Sequence, residues 1–173
     1  AMHIAMQYLY DLGHRDIAYL SGLGRNLPYD LRSIGYREMV EKLNLPCKDS
    51  LLFDGKFPYS TDMMDGFHYA NELLDSGRKF TAVICVNDLM ALGAMKALKA
   101  RGLRIPEDVS VMGFDGISYG QYWEPTLTSM SMDKIQFGKK AFELLYTNMS
   151  RGSTGYCQND LELVEGQSTA KCR

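Results

Sequence analysis

Three polar side chains of the sequence, Arg32, Asn87 and Asp115, are suited to bind a small ligand that carries several hydroxyl groups. Arg32 can donate two hydrogen bonds in a fixed geometry, Asn87 can both donate and accept, and Asp115 can only accept. Because a ring hydroxyl is both donor and acceptor, this set favours a sugar or another polyol, although a purine or a small acid would use a similar set. Phe57 lies in a nearby predicted loop and offers a flat apolar face.

Each of these residues also has a simpler interpretation. Asn87 can be a plain helix cap, Asp115 a turn residue, and Arg32 a solvated residue at the start of a helix. Their common location favours a shared site, because all three stand where the sequence predicts the carboxyl ends of parallel strands. Ligands of open α/β sheets bind in the crevice outside that edge.

The elements that must position these residues are clearest between residues 80 and 115. TAVICV (81–86) is a continuous apolar run typical of a strand that is buried on both faces of a parallel sheet. A predicted helix follows over 88–101 and ends at Gly102, and VSVMGF (109–114) is a second buried strand. Asn87 and Asp115 directly follow these two strands, so we expect both to face the same crevice.

Helices and strands alternate along the rest of the chain as well. The sequence predicts further helices at 2–12, 31–43, 63–76 and 134–148, and further strands at 17–20, 50–53 and 161–164. This order predicts an α/β fold with a doubly wound, mainly parallel sheet and helices on both faces. It requires at least four parallel strands, with 161–164 as a terminal edge strand.

Length, composition and charge exclude several classes of protein. A chain of 173 residues with 46% apolar and 23% charged residues is ordinary globular protein with one good core. The net charge of −2, without a dense Lys/Arg stripe, argues against a surface that binds polyanions. No apolar run reaches the roughly 18 residues that a membrane span needs, so we expect no membrane association.

Motifs for catalysis, metals and cofactors are absent from the sequence. It contains neither HExxH nor GxSxG, and the glycines after the first strand do not complete a GxGxxG loop. We therefore expect a protein that is not an enzyme and that holds no metal or cofactor. The four cysteines have no CxxC or disulfide-framework spacing, which favours a reducing, cytoplasmic location.

Five segments of the chain resemble the bacterial lactose/galactose repressor (LacI/GalR) family. They are GHRDIAYLSG (13–22), RSIGY (32–36), TAVICVNDLMALGAMKAL (81–98), GLRIPEDVSVMGFD (102–115) and PTLTSMSMDKIQFGKKAFELL (125–145). The resemblance covers nearly the whole chain in the right order. It implies an effector-binding core like that of type I periplasmic sugar-binding proteins, in which two α/β lobes close over a small ligand. In such repressors a separate N-terminal helix-turn-helix head binds operator DNA, and this chain lacks that head.

The resemblance also assigns roles to particular residues. Arg32, Asn87 and Asp115 match the family's effector-binding arginine, asparagine and aspartate, and Phe57 falls near a ligand-stacking aromatic residue. It implies that residues 1–128 and 158–173 form the C-terminal effector-binding lobe. Residues 129–157 would then cross to the N-terminal lobe.

The resemblance further implies a homodimer formed through this lobe. The predicted helix 88–101 is apolar almost all round, and a helix of that kind is usually covered on more than its sheet side. Leu92 and Met95 would then face a partner subunit. Burial under a neighbouring helix of the same chain explains their apolar character equally well.

Together these observations predict the effector-binding and dimerisation part of a transcriptional repressor whose ligand alters operator binding by the absent head. A sugar-binding receptor for transport or chemotaxis with the same architecture is the alternative. The apolar positions Ile135, Gly138, Phe142 and Leu145 lie on one face of helix 134–148, which in the family contacts the first lobe. In this chain we expect that helix either to fold back on the lobe or to pair with a second chain.

Overall fold

The computed structural model describes residues 1–24, 30–46, 51–55, 61–152, 154–156 and 159–173. Helices and strands alternate as far as the fourth strand, as the sequence predicts. In chain order the elements are α1 (Met2–Asp11), β1 (Ile17–Gly24), α2 (Leu31–Lys42), β2 (Leu52–Gly55), α3 (Met63–Asp75), β3 (Ala82–Cys85), α4 (Asp88–Ala100), β4 (Ser110–Phe114), a 3-10 helix (Ser118–Tyr122), β5 (Thr128–Ser131), α5 (Lys134–Arg151) and β6 (Glu162–Val164).

The strands form one sheet in the order β2-β1-β3-β4-β5-β6. All pairings are parallel except the last, in which β6 runs antiparallel to β5 at the edge. The predicted doubly wound α/β fold is therefore confirmed, with β5 as one parallel strand beyond the minimum of four. Along the sheet, the connection from β1 to β2 runs in one direction, and those from β2 to β3 and from β3 to β4 run in the other. Because such crossovers are right-handed, α2 covers one face of the sheet, and α3 and α4 cover the opposite face.

The two central strands lie at the middle of the core. Every residue of β3 and β4 is buried, because helices cover both faces of the sheet at this point. On the α2 side, the ring of Tyr36 stacks on that of Tyr19 with centroids 5.5 Å apart, and its hydroxyl donates to the Ile17 carbonyl at 2.8 Å. A packed interior of this kind holds the carboxyl ends of β3 and β4 in fixed positions.

Helices α3 and α4 pack against each other with almost no side chain between them. Gly66 of α3 lies against the backbone of Met90, and Gly93 of α4 lies against the backbone of Met63. Leu92 and Met95 of α4 have 0% solvent exposure in the single chain. The structure therefore corrects the interpretation that these two residues face a partner subunit. Burial within the chain, the other explanation of their apolar character, is what the fold shows.

Helix α5 is mostly exposed to solvent among the residues that the structure describes. Its apolar residues Ile135, Phe142 and Leu145 are 73%, 69% and 57% exposed. The helix does not fold back on the lobe, so that part of the expectation is wrong, and pairing with a second chain stays a prediction. Within the described residues, no helix combines the length and the apolar composition that crossing a membrane requires.

Candidate functional site

The carboxyl edge of the sheet brings Arg32 and Asp115 into direct contact. Arg32 lies in the first turn of α2, and its Nη2 donates to Asp115 Oδ1 at 3.3 Å. Its Nη1 donates to the Val86 carbonyl at the end of β3, and its guanidinium lies 4.7 Å from the Phe114 ring centroid. The side chains of Arg32 and Asp115 remain 36% and 40% exposed, so a ligand can reach both.

The backbone at Asp115 has an unusual conformation. Its φ angle is +98°, in the left-handed region that non-glycine residues rarely adopt, and Gly116 follows with a φ angle of +58°. The Asp115 amide donates to the Met130 carbonyl of β5 at 2.8 Å. Strained residues of this kind persist only where surrounding contacts hold them, and they are common at ligand sites.

Asn87 caps α4, as its simpler interpretation requires. Its Oδ1 accepts a hydrogen bond from the Met90 amide at 2.8 Å, and its Nδ2 donates to the Thr61 carbonyl at 2.8 Å. The side-chain amide has a second N–H beyond the one used for Thr61, which leaves a donor for a ligand. Asn87 directly follows Val86, whose carbonyl accepts from Arg32, so it lies at the same edge of the sheet.

Phe57 lies outside the described residues, and its expected place beside the ligand stays a prediction. A depression of about 180 Å³ opens next to the Arg32–Asp115 pair. Typical small-molecule sites measure roughly 300–1,000 Å³, so this depression provides one wall of a site. It is lined by Ala1, Arg32, Phe114, Asp115, Met130, Ser131, Met132 and Leu161.

The structure adds one carboxylate that the sequence interpretation missed. Asp88, the first residue of α4, is 1% exposed and lies directly beneath the Asp115 loop. Its Oδ2 accepts from the Ile117 amide at 2.7 Å, and its Oδ1 accepts from the Ser129 hydroxyl at 2.6 Å. Its only signal in the sequence is an acid in the first turn of a mostly apolar helix, directly after the cap residue Asn87.

Burial raises the pKa of the Asp88 carboxyl from its ordinary 3.8 to about 6. The hydrogen bonds from Ser129 and from the Ile117 amide lower that pKa but do not offset the loss of hydration. Among the nearby charges, Asp115 raises the pKa further and Lys134 lowers it. Asp88 is therefore protonated in the folded chain over a pH range in which an exposed aspartate is ionised.

A family model described as a periplasmic binding protein-like domain matches residues 6–169, nearly the whole chain. Among curated proteins, the chain is similar to the "HTH-type transcriptional repressor PurR" of Vibrio parahaemolyticus, with 38% identity over 143 residues. That match covers 83% of this chain and 42% of the relative. The chain thus spans less than half the length of this curated relative.

Solved structures of transcriptional regulators share the fold. A LacI-family regulator from Enterococcus faecium with bound ribose superposes with a TM-score of 0.83 at 26% identity, covering 99% of this chain and 63% of that one. A lac repressor dimer bound to operator and the anti-inducer ONPF has a TM-score of 0.85 at 26% identity, covering 98% of this chain and 57% of that one.

Proposed function

This chain belongs to the periplasmic binding protein-like domain family, and on that premise we propose that it is the effector-binding lobe of a LacI/GalR-type transcriptional repressor. The resemblance to that family is confirmed by the regulators that match in sequence and in fold. Ligand binding at this lobe would alter operator binding by a separate helix-turn-helix head. Such a protein acts on DNA, so we place it in the cytoplasm.

One observation carries this proposal: Arg32 and Asp115 meet at the carboxyl edge of β3 and β4. Arg32 offers N–H donors, Asp115 offers acceptor oxygens 3.3 Å away, and both are partly open to solvent. A vicinal diol matches that pair, because each hydroxyl can accept from the guanidinium and donate to the carboxylate. We therefore propose a sugar or related polyol as effector, with a purine or nucleoside as the second candidate.

The neighbours named above support a regulator rather than a transport or chemotaxis receptor. Each is described as a transcriptional repressor or regulator, and none of these descriptions names an enzyme. The ribose in the Enterococcus faecium regulator is the sugar that we would test first.

We also propose that the lobe continues into a second one through the segment that carries α5. The sheet includes Thr128–Ser131 and Glu162–Val164, and the chain between them leaves the sheet as an exposed helix. An apolar helix face without cover is typical of a surface that contacts another part of a larger protein. The expected division into residues 1–128 and 158–173 on one side and 129–157 on the other stays a proposal, and the exposed helix supports it, while residues 129–131 remain in the sheet as part of β5.

Ligand binding is the direct test of the proposed function. In a protein that carries both lobes, ribose or a member of a panel of pentoses, hexoses, nucleosides and purine bases should raise the melting temperature. Asp115→Ala and Arg32→Ala should each weaken binding by about 10- to 100-fold, because each removes a hydrogen bond that involves a charged group. Isothermal titration calorimetry measures this loss.

Arg37→Ala, which removes another arginine of α2, is the matched control and should bind as the unchanged protein does. If no compound in the panel stabilises the protein, the proposed function fails. If the Asp115→Ala variant binds the effector as tightly as the unchanged protein does, the Arg32–Asp115 pair does not belong to the binding site.

The whole protein is proposed to be a homodimer, as the lac repressor neighbour is described to be. Because Leu92 and Met95 are buried within the chain, the dimer must use other residues.

The 173-residue chain should also associate through α5. Phe142 and Leu145 are exposed in the single chain, and burying them in a contact between two chains is favourable. Light scattering at micromolar concentrations should therefore give a mass above that of one chain.

Replacing both apolar residues, in a Phe142→Glu/Leu145→Lys variant, should return the chain to a monomer. Leu31→Ser is the control, because Leu31 is 76% exposed but lies on α2. A monodisperse monomer of the unchanged chain would contradict association through α5.

A further inference from the structure

We propose that Asp88 is a positioning residue for the effector, because it fixes the backbone that presents Asp115 to Arg32. This inference rests on the proposed function. It adds a residue that does not itself contact the proposed effector. Asp88 is buried beneath the loop, and its contacts are with the backbone and with Ser129 rather than with Arg32. It would act on the effector only through the loop above it.

Hydrogen bonds hold three consecutive amides of that loop. The Asp115 amide donates to the Met130 carbonyl at 2.8 Å, and the Gly116 amide donates to Ser129 Oγ at 3.1 Å. The Ile117 amide donates to Asp88 Oδ2 at 2.7 Å, and the Ser129 hydroxyl donates onward to Asp88 Oδ1 at 2.6 Å. One buried carboxylate therefore supports two of the three bonds, the second of them through Ser129.

The loop needs this support because its conformation is unfavourable by itself. Asp115 and Gly116 both have positive φ angles, and an aspartate at +98° is strained wherever nothing holds it. Loss of the Gly116 and Ile117 bonds would free the backbone immediately after Asp115. Its carboxylate would then no longer have a fixed distance and direction to the Arg32 guanidinium, which lies 3.3 Å away in the folded chain.

Gly113 of β4 leaves space for the Asp88 carboxylate. A Cβ on Gly113 would overlap Asp88 Oδ1 and lie 3.1 Å from its Cα, so only glycine at that point of β4 lets Asp88 approach. On the other side of the loop, Lys134 Nζ donates to the Gly116 carbonyl at 2.9 Å. Ser129 lies in β5 and Lys134 is the first residue of α5, so the same contacts connect the Asp115 loop to the segment proposed to enter the second lobe.

Amide hydrogen exchange in the 173-residue chain tests the inference without any effector. In Asp88→Ala, exchange at Gly116 and Ile117 should accelerate by about 10- to 100-fold, because their hydrogen bonds lose the group that supports them. Exchange at Ile84, in the middle of β3, should change by less than about threefold, since it reports opening of the core.

Asp88→Asn is the conservative variant and should restore most of the protection. Its oxygen can accept from the Ile117 amide while its NH₂ group donates to Ser129 Oγ, so both contacts survive without the charge. Asp65→Ala is the matched control, because it removes a first-turn carboxylate from α3 and should leave Gly116 and Ile117 unaffected.

Two results would overturn the inference. One is unchanged exchange at Gly116 and Ile117 in Asp88→Ala. The other is equal acceleration at Ile84, which would show that Asp88 supports the whole fold rather than the loop. In the two-lobed protein, Asp88→Ala should also weaken ribose binding as Asp115→Ala does. If the unchanged protein binds no compound in the panel, the proposed function fails, while the exchange result still decides the role of Asp88.

Discussion

Gly93→Ala should destabilise the chain by more than about 3 kcal/mol, because the new methyl group would enter a contact between two helix backbones. A Cβ at this position would overlap the Met63 carbonyl oxygen and lie 2.8 Å from the Phe67 amide nitrogen. Neither atom belongs to a flexible side chain, so α3 and α4 would have to move apart.

Gly66→Ala tests the same contact from the other helix. Its Cβ would overlap the Met90 carbonyl oxygen and lie 2.6 Å from Met90 Cα, so a loss of similar size is expected. Urea unfolding followed by circular dichroism measures both variants. Gly138→Ala in α5 is the control: among the described residues, no heavy atom beyond its own stretch of helix lies within 4 Å of its Cβ position, and alanine there should stabilise the single chain by up to about 1 kcal/mol. An unchanged unfolding midpoint in Gly93→Ala would contradict the close contact.

Asp88 should make the chain less stable as the pH rises from about 4 to about 6. Its pKa is about 6 in the folded chain and 3.8 for an ordinary aspartate, so between these values the folded state binds a proton that the unfolded state has lost. The folded state is therefore favoured at low pH by this group, and that advantage disappears as the pH passes the folded pKa. The effect amounts to about 2–3 kcal/mol between pH 4 and pH 7.

Asp88→Asn cannot titrate and isolates the effect. The unfolding free energy of the unchanged chain minus that of the variant, measured in urea at each pH, should fall by about 2–3 kcal/mol from pH 4 to pH 7. The subtraction cancels the titratable groups that both proteins share and that do not interact with Asp88. A difference that stays flat over this range would show that the folded carboxyl keeps an ordinary pKa.

The contribution of His14 to stability has the opposite pH dependence. The unfolding free energy of the Asp88→Asn variant must therefore be subtracted from that of the unchanged chain. Burial lowers the pKa of its imidazole below the ordinary 6.5, against the hydrogen bond to the Ala170 carbonyl, which raises it. The folded state then binds fewer protons than the unfolded state, and stability is lost as the pH falls below the ordinary value. Without the variant, the two contributions would partly cancel.

The sequence by itself determined the order of the elements and the edge of the sheet at which the candidate site residues lie. Alternating apolar runs and caps are local features, and strand ends follow directly from where those runs stop. The sequence therefore places Arg32 and Asp115 at one edge of the sheet, and in the structure the Arg32 Nη2 and Asp115 Oδ1 atoms lie 3.3 Å apart. The capping role of Asn87 was equally local, since its partner Met90 is three residues away.

Only the tertiary structure decided which apolar residues are covered and what supports the site. Leu92 and Met95 look the same in sequence whether the rest of the chain or a second chain covers them, and only their complete burial in the folded chain decides between the two. The sequence does not reveal the role of Asp88, because its partners Ile117 and Ser129 are 29 and 41 residues away in the chain. Contacts over such distances depend on how strands and loops come together, and no local pattern encodes them.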